Sequence, residues 1–343
     1  MITNAETRSN VQEIADGIYR INTPVDLPDG AAFSFNQYLL VDDEPLLFHT
    51  GPRRMFPLVR EAVAAVLAVE RLRHVGLSHF EADECGALNE WLAAAPQAAP
   101  LCSQVAAMVS VGDVADRPPR ALADGEKLVT GRHTLQWLDT PHVPHGWDCG
   151  LLMDTSTGTF FCGDLFTQPG HGEQALTEAD ILGPSEAFRQ PMDYFAHAPQ
   201  TAATLARLAA LKPRTLACMH GSAWRGDGGA LLRHLAEARP VAEAAWSRAA
   251  VFELQHAAAA YLALLAALEG RPRAALRLAA YSEAIYAARG ETREQNETEA
   301  TLRARALARR SLDDATAARL HAEGARLRDA EVEAVAFGTG DGG

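Results

Sequence analysis

The sequence predicts an α/β domain over residues 1–240 followed by an all-α region over 241–335, and three observations carry that expectation. Up to Pro240, short β-rich runs alternate with amphipathic helical stretches. Beyond it the chain is Ala, Leu, Arg and Glu with hardly any β-branched residue, broken only at Gly270-Arg271-Pro272, Gly290 and Gly324. With 48% hydrophobic and 22% charged residues over 343 positions, the composition is that of a folded chain with room for one full-sized domain and an appendage. Disorder as the main state is excluded.

The strands expected in the first region are Ile18 to Asn22, Asn36 to Val41, Pro45 to Phe48, His74 to Ser78, Leu135 to Asp139, Gly150 to Asp154, Thr159 to Cys162 and Thr215 to Met219. Helices are expected over Pro57 to Val69, Glu84 to Ala95 and Thr201 to Leu211; in the second, Ala87, Leu88, Trp91, Leu92 and Ala95 share one face. The later region reads as three or four helices. There Leu254, Ala258, Tyr261, Leu262, Leu265 and Leu268 recur at three and four residue steps, which marks them as a core stripe. The terminal GTGDGG, within a flexible tail over 336–343, is expected to fray.

Charge and cysteine usage narrow the function classes. The net charge is −13, from 44 acids against 31 Lys and Arg, so neither nucleic acid nor an anionic membrane is an expected partner. Counting from Val241 onward gives 15 acids and 13 bases, a net of −2, so the first region carries −11. The five cysteines, Cys85, Cys102, Cys149, Cys162 and Cys218, are odd in number, widely spaced and free of a CxxC pair. That is the pattern of a reducing, cytoplasmic location, without a disulfide framework or a thiolate zinc ribbon. The start, MITNAETRSN, carries no secretory signal, and the apolar run between Glu253 and Glu269 falls short of the roughly 20 residues a bilayer requires.

Chemistry concentrates where strands end. HVGLSHFEADECG runs an apolar strand directly into His79, Glu81 and Asp83, and an imidazole with two carboxylates suits a hard-leaning metal. Alone, such a triplet equally suits a solvated loop. Three later strands end the same way: TLQWLDT leads to His142 and His145 in TPHVPHGWD, TFFCG to Asp164, and TLACM to His220 in HGSAW. Gly146, Gly163 and Gly221 adjoin three of these residues. A dinuclear metal site at one edge of a layered sheet is the economical reading.

With these motifs the chain resembles the metallo-β-lactamase fold, and within it the flavodiiron and oxygen-binding diiron proteins. The resemblance covers residues 11 to 235 and implies a four-layer αββα sandwich. HFEAD is similar to the diiron branch's HxExD, HGSAW to its HGxxW, and eighteen residues separate His145 from Asp164, as the family spacing has it. By carry-over, His79, Glu81 and His145 would hold one metal, Asp83 and His220 the other, and Asp164 would bridge them. Trp224 is the aromatic of HGxxW, His142 a supporting or cleft residue, and His171, in DLFTQPGH, a cleft residue after an insertion. Two departures stand out. Glu84 follows HxExD where relatives commonly have histidine, and either binds the second metal or points into solvent. His49, in His49-Thr50-Gly51, replaces the aspartate of the usual DTG and either supports the site by hydrogen bonds or serves structurally under the sheet.

The resemblance implies two Fe ions, with Zn as the alternative, and binding or reduction of O2 or NO. Glu81 in place of an imidazole favours iron. The helical region has no alternating strands and no phosphate loop, so no FMN domain is expected there, and electrons would come from an external flavoprotein or rubredoxin-like donor unless the protein is an oxygen sensor. That region is either an adaptor that pairs two subunits or offers a surface to a partner, or, as the preferred reading, a bundle that covers an apolar flank of the α/β domain; the whole is expected to be a homodimer. The rival class is a dinuclear zinc hydrolase of esters, thioesters or lactones. Against it stand Glu81 and the scarcity of cations: Lys127 and Lys212 are the only lysines, although Arg189 and Arg225 lie near the motifs. Nucleophilic catalysis by Cys149 or Cys162 is the weaker reading, since small buried thiols are common in such strands. Phe188, Tyr194 and His197 lie in the stretch expected to wall the cleft.

Overall fold

The computed structural model describes residues 1–27, 30–196, 198–237, 255–293 and 295–337. The expected seam at Pro240, Leu254, His197 and the terminal GTGDGG lie outside the described residues. The chain divides into two compact units, Met1–Ala238 and Arg239–Gly343.

The first unit contains two sheets. One holds eight strands in chain order: β1 (Ile2–Asn4), β2 (Ser9–Ala15), β3 (Ile18–Asp26), β4 (Ala32–Leu40), β5 (Leu46–Phe48), β6 (His74–Gly76), β7 (Ala99–Ser103) and β8 (Arg120–Leu122). Pairing is antiparallel as far as β5 and parallel from β5 to β8. The second holds β9 (Lys127–Val129), β10 (Thr134–Asp139), β11 (Gly150–Asp154), β12 (Thr159–Gly163), β13 (Leu176–Thr177), β14 (Thr215–Cys218) and β15 (Ala223–Arg225), in the order β13-β15-β14-β12-β11-β10-β9.

Alternating side chains sort into three apolar layers, which is what stacks four layers of structure. Ile18, Tyr38, Leu40, Phe48, Trp137, Leu152 and Phe161 fill the space between the sheets. On the outer face of the first sheet, Ile21, Leu39, Leu47 and Val75 pack on α1 (Phe56–Ala64) and, beyond the short α2 (Ala82–Cys85), on α3 (Leu88–Ala94). On the outer face of the second, Leu151, Phe160 and Leu216 pack with helices that follow α4 (Leu182–Met192), namely α5 (Thr201–Ala210) and α6 (Gly228–Glu237). Each large aliphatic side chain so buried contributes about 1.5–3 kcal/mol.

All eight expected strands form, with ends shifted by a few residues. One expected helix does not form as a unit: Glu84 to Ala95 is α2 and α3, parted at Gly86. The reason is a tie to the loop after β5. Thr50 donates its backbone N–H to the Glu84 carbonyl at 2.8 Å, and its hydroxyl accepts the Ala87 N–H at 3.1 Å, so helical bonding is interrupted there. A side chain on Gly86 would also meet the Ala82 carbonyl oxygen at 2.2 Å.

The second unit contains five described helices, one more than the upper expectation: α7 (Gln255–Leu268), α8 (Pro272–Arg289), α9 (Gln295–Ala308), α10 (Asp314–Gly324) and α11 (Asp329–Phe337). The one extra break, between α9 and α10, carries a polar cap rather than Gly or Pro. Asp313 begins α10 by accepting the Thr316 N–H at 2.8 Å. The stripe on α7 also differs from expectation. Ala259, Leu262, Ala263 and Ala266 are buried, while Tyr261, Leu265 and Leu268 are exposed. A helix apolar all round gives no phase from large residues alone, and here the small residues permit the close approach. None of the helices in the described residues is long and apolar enough to cross a membrane.

Candidate functional site

Strand direction delivers the chemistry to one edge. β5 and β6 run parallel, as do β12 and β14, and β10 is antiparallel to β11, which is antiparallel to β12. The segments after β6, β10, β12 and β14 therefore emerge together, with His79, His145, Asp164 and His220 at their heads.

The geometry falls into two clusters that meet at Asp164. On one side His79 Nε2 and His145 Nε2 each lie 3.0 Å from Glu81 Oε2, and 3.6 and 3.5 Å from Asp164 Oδ2. One donor atom from each of these four residues lies within 4.8 Å of the others, the span a single cation can bind. On the other side His220 Nε2 lies 3.4 Å from Asp83 Oδ2 and 3.4 Å from Asp164 Oδ1. Glu81, Asp83 and Glu84 form a further group within the same span.

Neighbouring groups fix which nitrogen faces inward. A carbonyl oxygen can only accept, so His220 donates its Nδ1–H to the Ser34 carbonyl at 2.8 Å and turns Nε2 to the carboxylates. His79 Nδ1 lies 2.9 Å from the Ser78 hydroxyl. The loop between His79 and Glu81 is pinned by Asp148, whose Oδ2 accepts the Phe80 N–H at 2.9 Å. Gly221, at φ 83°, lets the chain turn away from His220; a side chain there would meet Gln168 at 2.6 Å.

Electrostatics follow from this crowding. Burial works against charge on His220, but the Asp164 and Asp83 carboxylates, each 3.4 Å away, raise it to about 10. Burial likewise opposes charge on His79, yet the Glu84 carboxylate raises it well above the usual imidazole value. Hydrogen bonds from His145 and His79 hold Glu81 at about 2. Asp164 is held low despite burial by His220, His79 and His145, whereas Glu84 is pushed well up by burial and then by the Asp164 charge. Both Glu84 oxygens, Asp164 Oδ1 and His145 Nδ1 are buried without a hydrogen-bond partner.

The structure thus brings together His79, Glu81, Asp83, Glu84, His145, Asp164 and His220. Glu84 is fully buried, which removes the reading that turned it to solvent. His49 lies behind His79, in contact with Ser78. Three other singled-out residues are outside the two donor groups. His142 occupies a turn at φ 63°, its N–H bonded to the Gly146 carbonyl. His171 contacts Asp26 at 2.7 Å beside Arg8, in a separate surface cleft of about 340 Å³. Trp224 donates to the Ala179 carbonyl and packs on the helical side of the second sheet. Arg189 is engaged by Glu186 and Arg225 by the Ile14 carbonyl.

An aromatic wall completes the site. The Phe33 ring centroid lies 4.4 Å from that of His220 and 5.6 Å from that of Phe188, and Tyr194 stands 6.1 Å from His145. The Tyr194 hydroxyl is buried without a hydrogen-bond partner. Phe188 and Tyr194 come from the stretch expected to wall the cleft, where the sequence made them candidates with ordinary packing as the preferred reading. Phe33, Ser34 and Asp148 were not singled out, because nothing local distinguishes a strand's first residues or a loop aspartate as neighbours of a site built elsewhere.

A two-sheet sandwich with histidines and carboxylates at its strand ends defines a metallo-β-lactamase fold of the flavodiiron branch. The family model described as "ODP family beta lactamase" matches residues 33–221, more than half of the chain, and the chain belongs to that family. It is 26% identical over 193 residues to the putative diflavin flavoprotein A 1 of Nostoc sp., a match spanning 55% of this chain and 33% of the relative. The chain thus spans about a quarter to a third of the length of the curated relatives it matches. Among solved structures, the metal-soaked Flv1 flavodiiron core of Synechocystis sp. superposes with a TM-score of 0.59 at 23% identity, over 67% of this chain and 60% of that one. Rubredoxin oxygen:oxidoreductase of Desulfovibrio gigas gives 0.57 at 20% identity, over 68% and 63%.

Proposed function

We propose that the strand-end site holds two metal ions, iron in the working protein, and that the protein binds or reduces O2 or NO there. The observation that carries this reading is the placement of Asp164, with one carboxylate oxygen facing His79 and His145 and the other facing His220. The donor set fits two cations. Four carboxylates beside three imidazoles leave a deficit of four charges once the imidazoles are neutral, which two divalent ions balance. The partnerless oxygens of Glu84 and Asp164 are the buried acceptors such ions would satisfy. His79, Glu81 and His145 would serve one ion, Asp83, His220 and Glu84 the other, with Asp164 shared. Glu81 and Glu84 supply hard oxygen donors where imidazoles would favour zinc.

Two irons held by these residues would supply the redox chemistry for O2 or NO. The chain's own residues do the rest. Phe33, Phe188 and Tyr194 present apolar surface suited to an uncharged diatomic, and Tyr194 holds a buried hydroxyl proton near Asp164. Residues 255–337, where described, are helical and lack the parallel sheet on which flavodoxin-like domains hold FMN. In this proposal the electrons come from a redox group other than residues 255–337, or the reduced centre signals O2 without turnover.

The test is the metal content of anaerobically purified protein and its response to gas. About two irons per chain and an absorption change on exposure to O2 or NO are expected. Full occupancy by zinc from iron-supplied cells, with rapid thioester or lactone hydrolysis, would overturn the reading.

A further inference from the structure

Behind His79 lies a second imidazole with no counterpart in the usual DTG strand end. His49 is 1% exposed, follows β5 directly, and holds a left-handed backbone at φ 65°. Its Nδ1 lies 3.0 Å from Met219 Sδ and its Nε2 3.0 Å from Ser78 Oγ, which in turn lies 2.9 Å from His79 Nδ1. Burial keeps His49 neutral, lowering it to about 3, so one ring nitrogen carries a proton and the other does not.

The end of this row decides its direction. A thioether sulfur can only accept, so the proton of His49 sits on Nδ1 and points at Met219. His49 Nε2 is then a bare acceptor, and it receives the single hydroxyl proton of Ser78. Ser78 has only lone pairs left for its other neighbour, and His79 must donate Nδ1–H to it. Nε2 of His79 is thereby the nitrogen left facing Glu81 and Asp164, where it presents a lone pair once a cation displaces its proton.

We propose that His49 is a positioning residue that, through Ser78, sets the tautomer and ring orientation of His79 for metal binding. The proposal rests on the metal reading of the site but concerns this chain's own hydrogen bonds. Fixing a ligand histidine through its far nitrogen raises metal affinity, and losing such a partner typically costs about 10–100-fold.

Three variants in the full chain, with zinc(II) as a diamagnetic probe, test it. His49→Asn keeps an acceptor for Ser78, a donor for Met219 and tolerance of the left-handed backbone; it should bind zinc within about threefold of the parent. His49→Gly keeps the backbone but removes both bonds, and Ser78→Ala removes the relay; each should lose about tenfold or more. Nitrogen-15 spectra of histidine-labelled protein should show His49 protonated at Nδ1, and zinc-loaded His79 protonated at Nδ1. Equal zinc affinity in folded His49→Gly and Ser78→Ala, or a His49 proton on Nε2, would overturn the proposal. The His49 tautomer is also read in metal-free protein. A parent chain that takes up no metal would therefore remove the metal reading, while the direction of the hydrogen-bond row is still decided there.

Discussion

The two clusters that meet at Asp164 differ in exposure more than in chemistry. The His79 side is open: the Glu81 and His145 side chains retain 52% and 25% exposure. The His220 side is closed, with His220 at 7% against the Phe33 ring and Asp83 at 19%, while Glu84 nearby is fully buried. An open half suits ligand entry and metal exchange. A closed half suits tight retention, because buried carboxylates left without a cation are costly. Asp164 faces the histidines of both halves, and Glu84, 3.9 Å from His79 and grouped with Glu81 and Asp83, is a second link between them.

The largest effect should come from breaking that shared group. Asp164→Asn should reduce metal content from about two ions per chain to well under one; retention of two ions, measured by plasma emission spectrometry, would mean that the halves fill independently. Next, His220→Gln should leave about one ion per chain, held by the open half. Loss of both ions in a folded protein would show instead that the closed half organises the open one.

Much of this arrangement was legible beforehand. His79, Glu81, Asp83, His145, Asp164 and His220 stand at the ends of apolar runs, and strand ends of like direction must share an edge. The eight apolar strands were legible for the same reason. What local pattern could not reveal was contact made from a distance. The split of α2 from α3 depends on Thr50, more than thirty residues away. The burial of Glu84 depends on a charge cluster assembled from four segments. His171 lies in DLFTQPGH close to Asp164 in sequence, yet it sits in another cleft, since proximity in sequence does not fix the path of an irregular loop. The core face of α7 was hidden because alanines carry it.

A pH series sharpens the comparison at smaller cost to the molecule. In metal-free protein His220, raised to about 10, and His79, also raised, hold extra protons at neutral pH that a cation must displace. Metal affinity should therefore rise with pH, with protons released on binding near pH 7 from His220, His79 and the likewise raised Glu84, read by calorimetry in buffers of different ionisation heat. Stability of the metal-free fold runs the other way. The ion pairs of His220 stabilise it fully below the ordinary 6.5 and lose their effect as pH climbs through about 10. Smallest should be Glu84→Gln, which weakens retention on the closed side by about tenfold and leaves the open side unchanged; an equal loss on both sides would place Glu84 between them.

The central claim is that one carboxylate joins two metals into a single centre. Electron paramagnetic resonance of the oxidised, iron-loaded protein tests it directly. Two ferric ions coupled through a shared bridge should leave the spectrum nearly silent at about two irons per chain. A ferric signal that integrates to the full iron content would show isolated ions and contradict the account.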